Sequence, residues 1–282
     1  MAECKVCFRH CKIEEGKLGF CGGRTVRDGR VEAYNYGRLT SLALDPIEKK
    51  PLARFYPRSL ILSVGSFGCN LRCPFCQNYE ISWSKEAKRF AEEADIFTPE
   101  ELVEIALRTR SRGNIGIAFT YNEPLVGYEF VRDTARLAKA EGLKTVLVTN
   151  GTAELPVLRE IAPYIDAMNI DLKGFTDRYY TKVLGGSRPM TMAFIEEAVK
   201  TAHVELTTLI VPGENDSEEE MRELSAWVSN LREPDGESVP LHISRFFPRF
   251  HMTDRKPTDV RLIYRLARIA REKLDHVYPG NC

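Results

Sequence analysis

From about residue 58 onward, short apolar runs rich in β-branched residues alternate with amphipathic stretches, and this alternation limits the possible folds more than any other feature of the chain. The runs are 60–64, 115–119, 145–148, 167–170, 204–210 and 241–244. Near-continuous apolar runs of this length suit strands buried on both faces of a parallel sheet. The stretches between them carry helix start signals. Thr98-Pro99-Glu100-Glu101 reads as an N-cap, a proline at the first helical position and a capping-box glutamate. Ser217-Glu218-Glu219-Glu220 reads as a second capping box, its acidic run suiting the positive end of the helix dipole. Six strand–helix repeats imply an α/β fold, either a βα barrel or a doubly wound sheet. No G-x-G-x-x-G follows the first run, which counts against a dinucleotide-binding sheet.

Lys+Arg 40 balances Asp+Glu 40, which argues against a broad basic surface for nucleic acid or anionic lipid. No apolar run reaches the roughly 18–20 residues of a membrane-spanning helix. The N-terminal stretch lacks the apolar core of a signal peptide, so a cytoplasmic location is expected. With 282 residues the chain has room for one large domain plus a small appendage.

Seven of the eight cysteines fall within the first 76 residues, in two groups. A reducing cytosol disfavours disulfides, and close cysteine spacing there points to metal. Residues 1–57 form the expected appendage, an N-terminal metal-binding segment in which Cys4, Cys7, Cys11 and Cys21 supply four thiolates. Four thiolates suit a structural zinc, and they equally suit an iron–sulfur cluster. His10 lies inside this segment and could replace one of them. The second group, Cys69-x3-Cys73-x2-Cys76, directly follows the first run of the α/β region, residues 58–282. That position places it at the C-terminal mouth of the sheet, where βα-barrel active sites form. Three cysteines can hold three corners of a [4Fe–4S] cluster and leave the fourth iron open. A zinc site completed by Cys282 or a histidine is the plainer alternative.

The C-x3-C-x2-C spacing with an aromatic before its last cysteine, here Phe75, resembles the signature of radical SAM enzymes. The resemblance covers about residues 58–280 and implies an incomplete (β/α)6 TIM-like barrel. It implies that the open iron binds the amino and carboxylate groups of S-adenosylmethionine (SAM). Reductive cleavage would then yield methionine and a 5′-deoxyadenosyl radical that abstracts hydrogen from a substrate. Later strand ends add to it. Thr120-Tyr121-Asn122-Glu123-Pro124 stands where many relatives have Gly-Gly-Glu-Pro; Glu123 carries over cleanly and Asn122 is a further candidate contact. Asn150 follows the third run. Asp171-Leu172-Lys173 resembles the D-x-K element of pyruvate formate-lyase activating enzymes, in which a carboxylate and an ammonium on one face suit a zwitterion. The resemblance thus assigns Phe75 to the adenine and Glu123, Asn150, Asp171 and Lys173 to the methionine moiety. His242, on the sixth run, points either to the mouth, as a further candidate contact to SAM or substrate, or to the core.

A narrower resemblance runs nearly end to end. The N-terminal four-cysteine segment, the stretch around the second cysteine group, His242-Ile243-Ser244-Arg245-Phe246-Phe247-Pro248 and the C-terminal Val277-Tyr278-Pro279-Gly280-Asn281 are similar to AmmeMemoRadiSam system radical SAM enzymes. It implies an oxidoreductase-like anaerobic chemistry, an electron donor such as flavodoxin or ferredoxin, and a small-molecule or protein substrate. A glycyl-radical-enzyme activase, acting on a backbone glycine of a partner protein, is the nearest alternative; a zinc-stapled binding protein without catalysis is another. Elsewhere, Leu184-Gly185-Gly186-Ser187 reads as a helix end and turn, and Arg245 and Arg249 could meet an anionic substrate.

Overall fold

The computed structural model describes residues 1–282, the side chains of Lys88 and Phe90 excepted. Its main sheet has eight strands: β1 (Ser41–Pro46), β2 (Leu60–Gly65), β3 (Asn114–Phe119), β4 (Lys144–Thr149), β5 (Ala167–Asp171), β6 (His203–Ile210), β7 (Leu241–Arg245) and β8 (Val277–Gly280). They lie side by side in chain order. β1 is antiparallel to β2, and every later neighbouring pair is parallel. A doubly wound sheet reverses its strand order at a switch point. This sheet never reverses, so the winding is that of a βα barrel. Among the described residues β1 and β8 do not pair with each other, and the barrel is partial. The outermost strands escape the pattern of apolar runs because they are mixed in character: β1 ends in Asp45-Pro46 and β8 contains Pro279, a residue tolerated at sheet edges.

Each of the six connections between parallel strands contributes one helix to the outer layer: α1 (Pro99–Arg108), α2 (Tyr128–Ala140), α3 (Leu155–Ile161), α4 (Arg188–Ala198), α5 (Glu218–Val228) and α6 (Val260–Ala270); the first connection also holds the shorter helices Tyr79–Ser82 and Glu86–Glu93. At α1 the expected capping box is complete, Thr98 Oγ1 accepting from Glu101 N–H (3.2 Å) and Glu101 accepting from Thr98 N–H (2.8 Å). At α5 only half of it forms. Ser217 Oγ accepts from Glu220 N–H (3.1 Å), but the Glu220 carboxylate turns away to accept from Phe175 N–H (2.6 Å). A half-buried backbone donor in the loop after β5 needs that acceptor more than the exposed cap does, since water can serve the cap.

Strand side chains alternate between two cores, as the pleat requires. Leu62, Val64, Ile117, Leu147, Met168, Ile170, Leu206 and Ile243 face outward into one core shared with the helices. Ile61, Ala118, Val146 and Ala167 face inward and pack on Ile47 and Leu52, from the segment after β1. Glu205 fixes that segment from inside the barrel by accepting from Ala53 and Arg54 N–H at 2.9 and 2.8 Å. The N-terminal ends of the strands are thereby plugged, and the C-terminal ends form the mouth.

The first forty residues sit on that mouth's flank. Two short hairpins, Ala2–Glu3 with Lys12–Ile13 and Arg24–Arg27 with Arg30–Ala33, frame the four-cysteine segment. Cys4, Val6, Ile13, Val26 and Leu39 share the outer core. Arg24 Nη1 meets both carboxylate oxygens of Glu129 on α2, at 2.8 and 2.6 Å, and Glu154 N–H donates to Val6 O at 2.9 Å just ahead of α3.

Candidate functional site

The loop leaving the C-terminal end of β2 carries Cys69, Cys73 and Cys76, and all three line a cavity of ≈ 280 Å³ in the mouth. Phe75, Asn122, Glu123, Asn150, Asp171 and Lys173 line the same cavity. Strands ending side by side in a parallel sheet bring their following loops together, which is why residues so distant in sequence converge here.

The loop is held by amides. Asn122 Oδ1 accepts from Ser66 N–H (3.0 Å), and its Nδ2 donates to the Phe67 and Gly68 carbonyls (3.1 Å each). Its amide is thus spent on the backbone leading into the cysteines. Asn150 Nδ2 donates to Asn70 Oδ1 (2.9 Å) and points at Cys69 Sγ (3.8 Å), while its Oδ1 accepts from Thr152 N–H (3.0 Å). Gly68 has φ +94, and a Cβ there would press on the Cys21 carbonyl. That carbonyl accepts from Cys69 N–H at 3.0 Å.

Burial raises all three thiols, Cys73 to about 12 and Cys69 and Cys76 in the same direction. Thiolates in such a setting call for a bound cation to stabilise them. The cavity wall offers three soft sulfurs, with no fourth cysteine and no histidine among its described residues. Cys282 is exposed, its Sγ near the Gly280 carbonyl of its own chain end. The three-sulfur donor set therefore fits an iron–sulfur cluster with one open corner better than a closed zinc tetrahedron.

Charged groups line the same cavity as the sulfurs. Glu123 is buried and accepts from Thr149 Oγ1–H (2.7 Å), Asn150 N–H (2.8 Å) and Leu125 N–H (3.0 Å), yet burial still raises its pKa to about 7. Asp171 and Lys173, two residues apart at the end of β5, form an ion pair at 2.7 Å. Burial works against the Lys173 ammonium, but Asp171 and Cys73 outweigh it and its pKa is raised. Phe75 is buried edge-on against Phe246.

The structure places other residues elsewhere. His242 lies two positions below the rim residue Ser244 on β7, roughly 7 Å deeper along the strand. Its Nε2 is 2.6 Å from Glu205 Oε2, its ring stacks on Tyr278, and it does not line the mouth. Arg245 donates to the Thr258 carbonyl (2.7 Å) and covers Phe247, and neither it nor Arg249 reaches the cavity. The 184–187 stretch ends one helix, with Gly185 at φ +63, and Ser187 caps α4. His10 stands exposed between Glu3 and Glu154. Sequence reasoning missed Tyr121, which lines the mouth at φ +74 and donates its hydroxyl to Asp45 (2.7 Å), the partner of the buried Lys50 (2.9 Å). It also missed Thr207 and Ser244, whose inward parity at strand ends could have flagged them.

Cys4, Cys7, Cys11 and Cys21 line a separate, smaller cavity with Arg9 and Arg24. In neither cysteine group do three side chains converge on a position for a single metal ion, among the described residues.

The fold and the mouth define a class: α/β enzymes of the partial-barrel type whose chemistry sits at the C-terminal ends of the strands. Residues 63–225 match the Radical SAM superfamily, and the chain belongs to it. Membership implies a [4Fe–4S] cluster and SAM as cofactors. The uncharacterized protein MJ0808 of Methanocaldococcus jannaschii is 41% identical over 281 residues, 99% of this chain and 80% of that one. Pyruvate formate-lyase 1-activating enzyme of Escherichia coli is 28% identical over 179 residues, 62% of this chain and 71% of that one. Streptococcus suis SuiB bound to S-adenosylmethionine matches in fold with a TM-score of 0.58 at 13% identity, over 76% of this chain and 48% of that one. Among the described residues no helix is long and apolar enough to cross a membrane.

Proposed function

We propose that the chain cleaves SAM reductively at the mouth, with Cys69, Cys73 and Cys76 holding the [4Fe–4S] cluster. One observation carries this reading: three rim sulfurs, with no fourth cysteine and no histidine among the described residues of the cavity wall, share that cavity with two carboxylates and one ammonium. SAM bears the complementary set, an ammonium, a sulfonium and a carboxylate. Glu123 and Asp171 accept from the amino group, Lys173 pairs with the carboxylate, and Phe75 packs on the adenine. Asn122 and Asn150 hold the cysteine loop in place, and Leu71, Val148 and Leu209 line the same cavity with apolar surface that keeps water from the reacting atoms. A [4Fe–4S] cluster held by Cys69, Cys73 and Cys76 would supply, when bound and reduced, the single electron that cleavage of SAM to methionine and a hydrogen-abstracting 5′-deoxyadenosyl radical requires.

The kinship with an activating enzyme favours a protein substrate, as in a glycyl-radical-enzyme activase, and the end-to-end motif set favours the AmmeMemoRadiSam system group. A one-electron protein donor of the flavodoxin or ferredoxin kind and a cytoplasmic setting complete the proposal. The test is anaerobic reconstitution with iron, sulfide, reductant and SAM. The parent chain should form 5′-deoxyadenosine and Cys73→Ala should form none. A reconstituted parent that binds iron at the rim loop yet yields no 5′-deoxyadenosine would defeat the reading.

A further inference from the structure

We propose that Cys4, Cys7, Cys11 and Cys21 hold a second iron–sulfur cluster, which passes single electrons to the rim centre across the contact between Cys21 and Cys69. The relay rests on the reading of the rim centre given above; the cluster itself does not.

Four free cysteines line one cavity, three of them buried. On the same wall Arg24 is only 4% exposed, and its Nε–H has no hydrogen-bond partner, although Nη1 is held by Glu129. A buried N–H without an acceptor is rare and costly, and it points to a missing one. Thiolate or inorganic sulfide in the cavity supplies it. Arg9 brings a second guanidinium to this wall while its Nε donates to the Asn70 carbonyl at 2.8 Å. Two guanidinium groups offset the negative charge of a thiolate-bound cluster, including the extra unit gained on reduction.

Four thiolates suit zinc and an iron–sulfur cluster alike. Position decides between them, because only the cluster can carry an electron across the contact between Cys21 and Cys69.

Position argues for a relay rather than a staple alone. Cys69 N–H donates to the carbonyl of Cys21, so a ligand of one group is hydrogen-bonded to a ligand of the other. Asn70 forms a second bridge. Its amide lies beside the Cys7 thiol and accepts from Asn150 Nδ2, which also faces Cys69 Sγ. A one-electron donor protein such as a flavodoxin would reduce the N-terminal cluster by one electron. That electron then passes to the rim cluster, which is reduced by one as the N-terminal cluster is reoxidised.

The experiment has two arms. A chain carrying Cys69→Ala, Cys73→Ala and Cys76→Ala is reconstituted anaerobically with iron, sulfide and zinc offered together. About four irons and four sulfides per chain are expected, with an electron paramagnetic resonance signal on reduction. Zinc without iron would overturn the cluster. Where that variant does not fold, the parent chain decides by its iron content, about eight per chain for two clusters against about four for one. In the second arm, Cys4→Ser/Cys21→Ser is reduced either by dithionite or by flavodoxin, and the rim signal is followed. Reduction by dithionite should persist and reduction by flavodoxin should be lost. An unchanged flavodoxin rate would overturn the relay. Failure of the rim reading would instead show as a rim signal that SAM does not perturb, and it would leave the four-iron count of the first arm intact.

Discussion

Replacing Glu123 by glutamine in the metal-free protein removes a titrating carboxyl from the wall of the mouth. Burial raises this group from its ordinary 4.5 to about 7, against the pull of three hydrogen bonds. Between those two values the unfolded chain has released the proton and the folded chain still binds it. The folded state then holds more protons, so stability falls as pH rises through this window. At about 1.4 kcal/mol per pH unit the loss is about 3 kcal/mol by neutral pH. Glu123→Gln should lack this slope. The variant also loses about 1–3 kcal/mol at every pH, because its amide N–H₂ faces the Asn150 N–H that the carboxylate had accepted. Urea unfolding of both proteins from pH 4.5 to 7.5 measures the difference between them, which cancels every other titrating group. A difference that stays constant across the range would refute the reasoning. The same physics predicts proton release when a cationic ligand such as SAM binds beside Glu123 near pH 6.5. Calorimetry in buffers of unlike ionisation heat reads it directly.

Asp45→Asn leaves the Lys50 ammonium, 2% exposed, without its carboxylate. The expected loss is about 3–5 kcal/mol in thermal or urea unfolding, with partial recovery in Asp45→Asn/Lys50→Met. Asn122→Ala removes the acceptor of Ser66 N–H and the donor to two carbonyls ahead of Cys69. It should cost about 1–3 kcal/mol and lower the iron retained after anaerobic desalting, while an unchanged iron content would remove Asn122 from the loop's support. Lys173→Met should weaken SAM binding by about 1.5–3 kcal/mol, roughly ten- to a hundredfold, measured by equilibrium binding to the reconstituted protein. Full affinity would show that the methionine carboxylate is held elsewhere.

Six parallel strands were legible in the chain to within one residue at either end, from 60–64 against Leu60–Gly65 through 241–244 against Leu241–Arg245. Apolar runs and helix caps are local signals, and local sterics and burial act on them directly. The three rim cysteines were legible for the same reason, since three ligands within eight residues can share a loop whatever surrounds it. Asp171 and Lys173 were singled out by the resemblance to a D-x-K element, and the two-residue period of a strand end accounts only for their sharing one face. Other features depended on how distant segments pack. Winding in strict chain order, which separates a partial barrel from a doubly wound sheet, is set by which strand edges meet. The depth of His242 follows from strand alignment, and only that alignment shows it bound to Glu205 rather than at the mouth. The commitment of the Asn122 amide to the loop backbone, and the contact of Cys21 with Cys69 across 48 residues of sequence, belong to the same kind. Spacing along the chain decides which atoms can belong to one turn or loop. Which turns and loops then touch is decided by the burial of the whole outer core, a sum over many weak contacts that no short stretch of sequence contains.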